Sequence, residues 1–160
     1  MNKVPKSSEV YLDANFLTAY LLGPHTDAKK AQKLFAKILV AKTTMVFSPL
    51  SVDEMLHAIY KTLRDQERIN GLLPNKSHKD YINELKTAIS VLLNNHSFRV
   101  TQFTNGGAAS CSKAVDNIES YDLKPRDAFH LAYLQDQQIK HIVTNDSNFN
   151  SIAGVSCISF

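Results

Sequence analysis

Five short segments rich in β-branched and aromatic residues punctuate this chain: EVYLD (9–13), TMVFS (44–48), FRVTQF (98–103), HIVTND (141–146) and VSCISF (155–160). Stretches with helical periodicity separate them, and no tight hairpin signal joins any two. Strands that are not joined as hairpins need long crossovers, and such crossovers put helices over the faces of a parallel sheet. The pattern therefore predicts an α/β chain with a parallel sheet covered on both sides. Functional groups in such sheets collect beyond the carboxyl ends of the strands.

The crossovers fit this frame. NFLTAYLLG (15–23) reads as a short helix stopped by Gly23-Pro24. In DAKKAQKLFAKILVAK, Ala31, Leu34, Phe35, Ile38 and Leu39 recur on one face, with Asp27 as the expected N-cap. A long helix from Pro49 would bury Met55, Leu56, Ile59, Tyr60 and Leu63. Gly, Pro and Asn in NGLLPNKSH (70–78) mark a connection. A further helix over about 79–93 would turn Ile82, Leu85, Ile89, Leu92 and Leu93 inward. NGGAAS is a turn into a helix carrying Ala114, Val115 and Ile118, and a last helix opens at Pro125 in LKPRDAFHLA (123–132).

The expected organisation is a polar leader, residues 1–8, and one domain from 9 to 160. No apolar run reaches the roughly 18 residues a membrane span needs, and MNKVPKSSEV lacks the apolar region of a secretory signal, so a cytoplasmic protein is expected. Cys111 and Cys157 form no motif and read as reduced, without a role. A net charge of +3 does not by itself indicate nucleic acid, but it gains meaning if the acids are clustered.

Four acids invite that clustering. Asp13 and Asp146 follow the first and fourth strand segments, Glu54 lies near the start of the helix after the second, and Asp127 lies in the first turn of the helix from Pro125. Strand ends and the starts of the following helices share one edge of a parallel sheet. Each acid also has a local explanation: helix capping for Asp13 and Asp146, dipole interaction for Asp127, and a Ser51–Glu54 capping box if that helix starts at Ser51. A start at Ser48-Pro49 leaves Glu54 free. Two carboxylates about 4 Å apart repel by roughly 4 kcal/mol at an effective dielectric near 20, so a cluster needs protons or a cation. Oxygen ligands without cysteine or an obvious histidine set favour Mg²⁺ or Mn²⁺, ions suited to phosphodiester hydrolysis.

In their order, VYLDANFL, SPLSVDEML, LKPRDAFHLA and VTNDSNF resemble the PIN domain, and within it the VapC-type toxin ribonucleases. The resemblance implies a three-layer α/β/α sandwich with a central parallel sheet of about five strands. It also implies an Mg²⁺- or Mn²⁺-dependent endoribonuclease whose catalytic, metal-holding acids are Asp13, Glu54, Asp127 and Asp146. Asn15 and Thr144 stand where the family has supporting polar residues. Asp53 is the weaker alternative to Glu54, being about 100° around the helix from it. Implied partners are RNA, a cognate antitoxin and a second copy in a homodimer. The sequence departs from the compact toxins at Ala14, where Ser or Thr is frequent, in its leader, and in the extended segment from about 68 to 78.

Lys124 and Arg126 flank the Asp127 helix start and are candidate phosphate contacts. Lys29, Lys30 and Lys33 read as the polar face of their helix, and Tyr60, Tyr81 and Tyr133 as core. A free-standing PIN nuclease without an antitoxin, and a catalytically silent PIN scaffold that binds RNA or protein, are the alternatives. The pairs Glu54-x-x-His57 and Asp127-x-x-His130 resemble di-iron bundle motifs, but the other two acids follow strands. An aspartyl-phosphate enzyme would want an acid where Asn15 stands.

Overall fold

The computed structural model describes residues 4–6, 8–23, 25–71 and 76–160. Pro24 of the stop signal, residues 72–75 of the 70–78 connection, and residues 1–3 and 7 of the leader lie outside the described residues. Strands β1 (Glu9–Leu12), β2 (Thr44–Phe47), β3 (Phe98–Val100), β4 (His141–Val143) and β5 (Ser156–Ile158) form one sheet in the order β3-β2-β1-β4-β5. All four pairings are parallel, and Tyr11 lies opposite Val46 on one side and Ile142 on the other. From β1 the chain winds outward one way through β2 and β3, then returns to the other side for β4 and β5. The reversal between β1 and β4 is the topological switch point, where such sheets open a crevice at the strand ends.

Alternation along the strands divides the core. Val10, Leu12, Met45, Phe47, Val143 and Ile158 face the layer made by α1 (Ala14–Leu21), α2 (Ala28–Val40), α3 (Pro49–Ile69) and α4 (Ile82–Leu93). Tyr11, Val46, Ile142 and Cys157 face α5 (Gly107–Tyr121) and α6 (Pro125–Asp136), which pack on the opposite side. The result is the expected three-layer α/β/α sandwich around five parallel strands.

The start of α3 decides how Glu54 is used. Ser48 is its N-cap, Pro49 opens the helix, and Ser48 and Ser51 exchange the two hydrogen bonds of a capping box. Ser51 thus fills the position that a capping Glu would take, and Glu54, in the next turn, is free of the cap. Tyr81 and Tyr133 are buried, whereas Tyr60 is half-buried and stacks on His78.

Several local expectations shift. Asp27 precedes α2 but makes no side-chain cap; its carboxylate binds Lys30 at 2.6 Å instead. A 3₁₀ turn at His78–Tyr81 precedes α4, and that helix buries Ala88 and Leu92 while Ile82 and Leu93 stay exposed. On α5 the buried stripe is Ser110, Ala114 and Asn117, leaving Val115 63% exposed. Asn117 wins the inner position because its amide donates to the Ala128 carbonyl at 3.2 Å and to Gln135 Oε1 at 3.1 Å, fastening α5 to α6. Leu39 on α2 is likewise exposed.

Candidate metal centre

The backbone brings the four acids to one cleft at the switch point. Asp13 follows β1, and its peptide N–H still donates to the Val143 carbonyl of β4 at 3.2 Å. Its carboxylate caps α1, accepting from the Ala14 N–H at 2.6 Å. Asp146 caps the short 3₁₀ turn Ser147–Phe149 through the Asn148 N–H at 2.9 Å. Asp127 stands in the first turn of α6, with Pro125 at the helix start. The local roles weighed for these residues are therefore real for Asp13 and Asp146, and they hold the two side chains at the mouth of the sheet.

Asp13, Glu54, Asp127 and Asp146 line an open cleft of about 370 Å³ together with Ala14, Asn15, Thr18, His25, Ala58 and Arg126. A somewhat larger groove of about 410 Å³ lies between α1, α3 and α4, but among its lining residues Glu84 is the one acid or base. The acid cleft is the one of the two that gathers titratable side chains.

Within it the acids fall into two pairs. Asp13 and Glu54 meet around His130: one ligand atom from each of the three lies within 4.8 Å of the others. His130 Nε2 is 2.8 Å from Glu54 Oε2 and 3.9 Å from Asp13 Oδ1. Asp127 and Asp146 share the Asn148 side-chain amide, whose Nδ2 donates to Asp127 Oδ2 at 3.0 Å and reaches Asp146 Oδ2 at 3.5 Å. Asn15 and Thr144 do join the acids. The Thr144 hydroxyl donates to Asp13 Oδ2 at 2.6 Å and accepts from Asn15 Nδ2 at 3.0 Å and from the Asp146 N–H at 2.9 Å.

The environments of Asp13 and Glu54 push their protonation apart. Burial raises the Asp13 pKa, and the Glu54 charge raises it further; His130, Thr144 and the Ala14 N–H oppose the shift without cancelling it. Burial also pushes Glu54 up, but its hydrogen bond to His130 and the charges of His130 and Arg126 outweigh that and hold it below the usual carboxylate range. Two carboxylates about 4.8 Å apart repel by about 3.5 kcal/mol at a dielectric of 20, before solvent screening of the partly exposed Glu54. One buried acceptor beside the acids, Asn15 Oδ1, has no hydrogen-bond partner. An oxygen-rich cleft with repelling acids and a spare carbonyl fits a hard divalent cation.

Of the candidate phosphate contacts, Arg126 lines the cleft, with Nε 3.5 Å from Glu54 Oε1. Lys124 is the exposed N-cap residue of α6 and is not part of the lining. Sequence reasoning missed His130, Asn148 and His25. His130 was visible three residues beyond Asp127, on the same helix face, but that spacing suggested a helical di-iron pair. His57, the other histidine of that reading, is exposed. Asn148 follows Asp146 by two residues, and nothing in the sequence distinguishes it from an ordinary turn residue. His25 is oriented by the Asp27 N–H, which donates to its Nδ1 at 3.1 Å.

Residues 10–155 match the PIN domain family. The chain belongs to that family. No curated protein matches it by sequence. Solved structures share the PIN fold seen here. VapC20 of Mycobacterium tuberculosis, described as a Sarcin-Ricin loop cleaving toxin, gives a TM-score of 0.62 at 16% identity, covering 89% of this chain and 93% of that one. VapBC2 from Rickettsia felis, solved with a DNA fragment from its promoter, gives 0.59 at 13% identity, covering 94% and 98%. FitAcB from Neisseria gonorrhoeae gives 0.57 at 17% identity, covering 92% and 95%. At these identities the likeness speaks for the fold alone. Among the described residues, no helix is long and apolar enough to cross a membrane.

Proposed function

We propose that this PIN domain is a metal-dependent endoribonuclease and acts as a VapC-like toxin. The observation that carries the reading is the convergence of Asp13, Glu54, Asp127 and Asp146 on one cleft at the switch point of the sheet. The four acids would hold Mg²⁺ or Mn²⁺, with Asn15 and Thr144 as their supports. Such an ion lowers the pKa of a water and neutralises charge on the phosphate and the leaving oxygen.

The chain's own residues supply the rest. Thr144 and the Ala14 N–H keep the Asp13 carboxylate in one orientation. Asn148 holds Asp127 and Asp146 side by side. Arg126, largely solvent-exposed beside Glu54, would take a phosphate oxygen of the RNA, with Lys124, two residues earlier at the N-cap of α6, as a second contact. Thr18, a hydroxyl on the lining, donates to the Ala14 carbonyl at 2.8 Å, so the cleft offers no activated nucleophile and hydrolysis would proceed without a covalent intermediate. The toxin assignment draws support from the toxin–antitoxin complexes among the structural neighbours. It brings with it a small antitoxin that blocks the acidic cleft, a homodimer, and action in the cytoplasm, with residues 9–160 as a single nuclease domain.

The test is cleavage of structured and single-stranded RNAs with Mg²⁺ or Mn²⁺, beside EDTA and Asp127→Asn. Metal-dependent cutting that the variant loses supports the nuclease. A folded wild type that neither cuts nor gains thermal stability with Mn²⁺ turns the protein into a silent scaffold.

A further inference from the structure

We propose that Tyr11 and His130 form a buried relay that orients Glu54 for cation binding, making His130 a positioning residue and not a ligand. The inference rests on the metal-binding reading of the cleft and deepens it. His130 is 1% exposed and both of its ring nitrogens are committed. Nε2 faces Glu54 Oε2 at 2.8 Å, and a carboxylate only accepts, so Nε2 carries a hydrogen and has no lone pair for a metal. Nδ1 lies 2.7 Å from the Tyr11 hydroxyl, which can donate to it or accept from it.

Tyr11 is fixed in turn. Its hydroxyl lies 2.6 Å from Ser48 Oγ and 3.0 Å from Ser51 Oγ, the two side chains of the α3 capping box. With His130 these make three partners, the full capacity of one phenolic oxygen. The Tyr11 ring also meets the His130 ring edge-on at 5.7 Å and stacks with Tyr133 at 6.5 Å. The relay therefore links β1, the start of α3 and α6, and it ends on one oxygen of Glu54. The other oxygen, Oε1, is left for the cleft, with Arg126 as its neighbour at 3.5 Å. A partly buried glutamate on a helix would otherwise sample several rotamers, and a ligand held in one orientation binds a cation more tightly.

Mn²⁺ affinity, measured by calorimetry on the full chain, tests the relay with His130→Ala, His130→Gln, Tyr11→Phe, Glu54→Ala and the His130→Ala/Glu54→Ala double variant, each first shown to be folded by circular dichroism. Electron spin-echo spectroscopy of the Mn²⁺ complex reads nitrogen ligation directly. The relay predicts no imidazole coupling in the wild type and Mn²⁺ binding weakened roughly 10- to 100-fold by His130→Ala. His130→Gln, which restores a donor to Glu54, keeps affinity within about threefold, and His130→Ala adds nothing in the Glu54→Ala background. If His130→Ala does not fold, Tyr11→Phe and His130→Gln carry the comparison: Tyr11→Phe binds about three- to tenfold more weakly. Imidazole coupling, unchanged affinity in folded Tyr11→Phe or His130→Ala, or an equal His130→Ala effect without Glu54 overturns the relay alone. A wild type that binds no Mn²⁺ overturns the nuclease reading and the relay with it.

Discussion

Replacing Thr144 by valine keeps the shape of a side chain that is 1% exposed and deletes the hydroxyl joining the ends of β1 and β4. Three hydrogen bonds are lost. The O–H that donates to the Asp13 carboxylate at 2.6 Å is charge-assisted, and its loss costs about 1.5–3 kcal/mol. The Asp146 N–H and the Asn15 amide lose their acceptor but sit beside the open cleft, where water can replace it, at about 0.5 kcal/mol each. With Asp13 ionised and no metal, the expected destabilisation is about 3 kcal/mol, a fall of roughly 1.5 M in the urea midpoint at an m-value of about 2 kcal/mol/M. Its pH dependence follows from Asp13. The folded pKa of that acid is raised, so its charge destabilises the fold, and the loss is complete above the folded pKa. Thr144 opposes this by stabilising the charged form. Without Thr144 the folded pKa rises further, so the contribution of Thr144 is whole above the variant's folded pKa and is lost as pH falls to that of the wild type. Urea unfolding in EDTA, followed by circular dichroism over a pH series rising from the ordinary aspartate range, should show the difference between wild type and Thr144→Val growing as pH rises. A pH-independent difference, or one that stays under about 1 kcal/mol throughout the series, would refute the reasoning.

On α5, Asn117→Ala should destabilise by about 1–3 kcal/mol because it removes a buried side chain and both of its hydrogen bonds to α6, whereas Val115→Ser on the exposed face should stay within about 0.5 kcal/mol; urea midpoints decide. Arg126→Ala removes a cation from beside Glu54, so Mn²⁺ should bind equally well or more tightly by calorimetry while the KM for a cleavable RNA rises. Stability should change by less than about 1 kcal/mol, since the Arg126–Glu54 pair is largely solvent-exposed on the arginine side. Weaker Mn²⁺ binding in this variant would mean that Arg126 supports the acids and does not serve the substrate.

The fold was legible because its signals are periodic and local. Val10, Tyr11 and Leu12 alternate between the two core layers, and the long helix from Pro49 to Ile69 announces itself through Ser48-Pro49 and the Met55–Ile59 spacing. What failed were choices among neighbouring apolar positions. Val115 and Asn117 are two residues apart, and only the presence of α6, which offers the Asn117 amide acceptors at the Ala128 carbonyl and Gln135, turns the polar one inward. Leu93 and Ile82 were assigned to the core by period alone, but α4 is an outer helix whose contact stripe is filled by Leu85, Ala88, Ile89 and Leu92. Asp27 illustrates the competition at a helix start, where a lysine one turn on drew its carboxylate away from the backbone.

The site divides along a different line. Each acid could be found from its own segment, since Asp13, Asp127 and Asp146 occupy capping or first-turn positions and Glu54 follows a capping box. The groups that offset their charge could not, because each segment's donor serves another segment's acid. His130, one turn beyond Asp127, binds Glu54. Asn148, two residues beyond Asp146, reaches across to Asp127. Thr144, two residues before Asp146, donates to Asp13. This cross-bracing also explains how four acids can share a cleft before a cation arrives: the repulsion estimated for bare carboxylates acts on groups that already hold neutral or positive donors. A cation entering the cleft must compete with those donors or use the oxygens they leave free. Affinity then depends on how rigidly the donors hold their acids, and substitutions outside the acidic set should alter it.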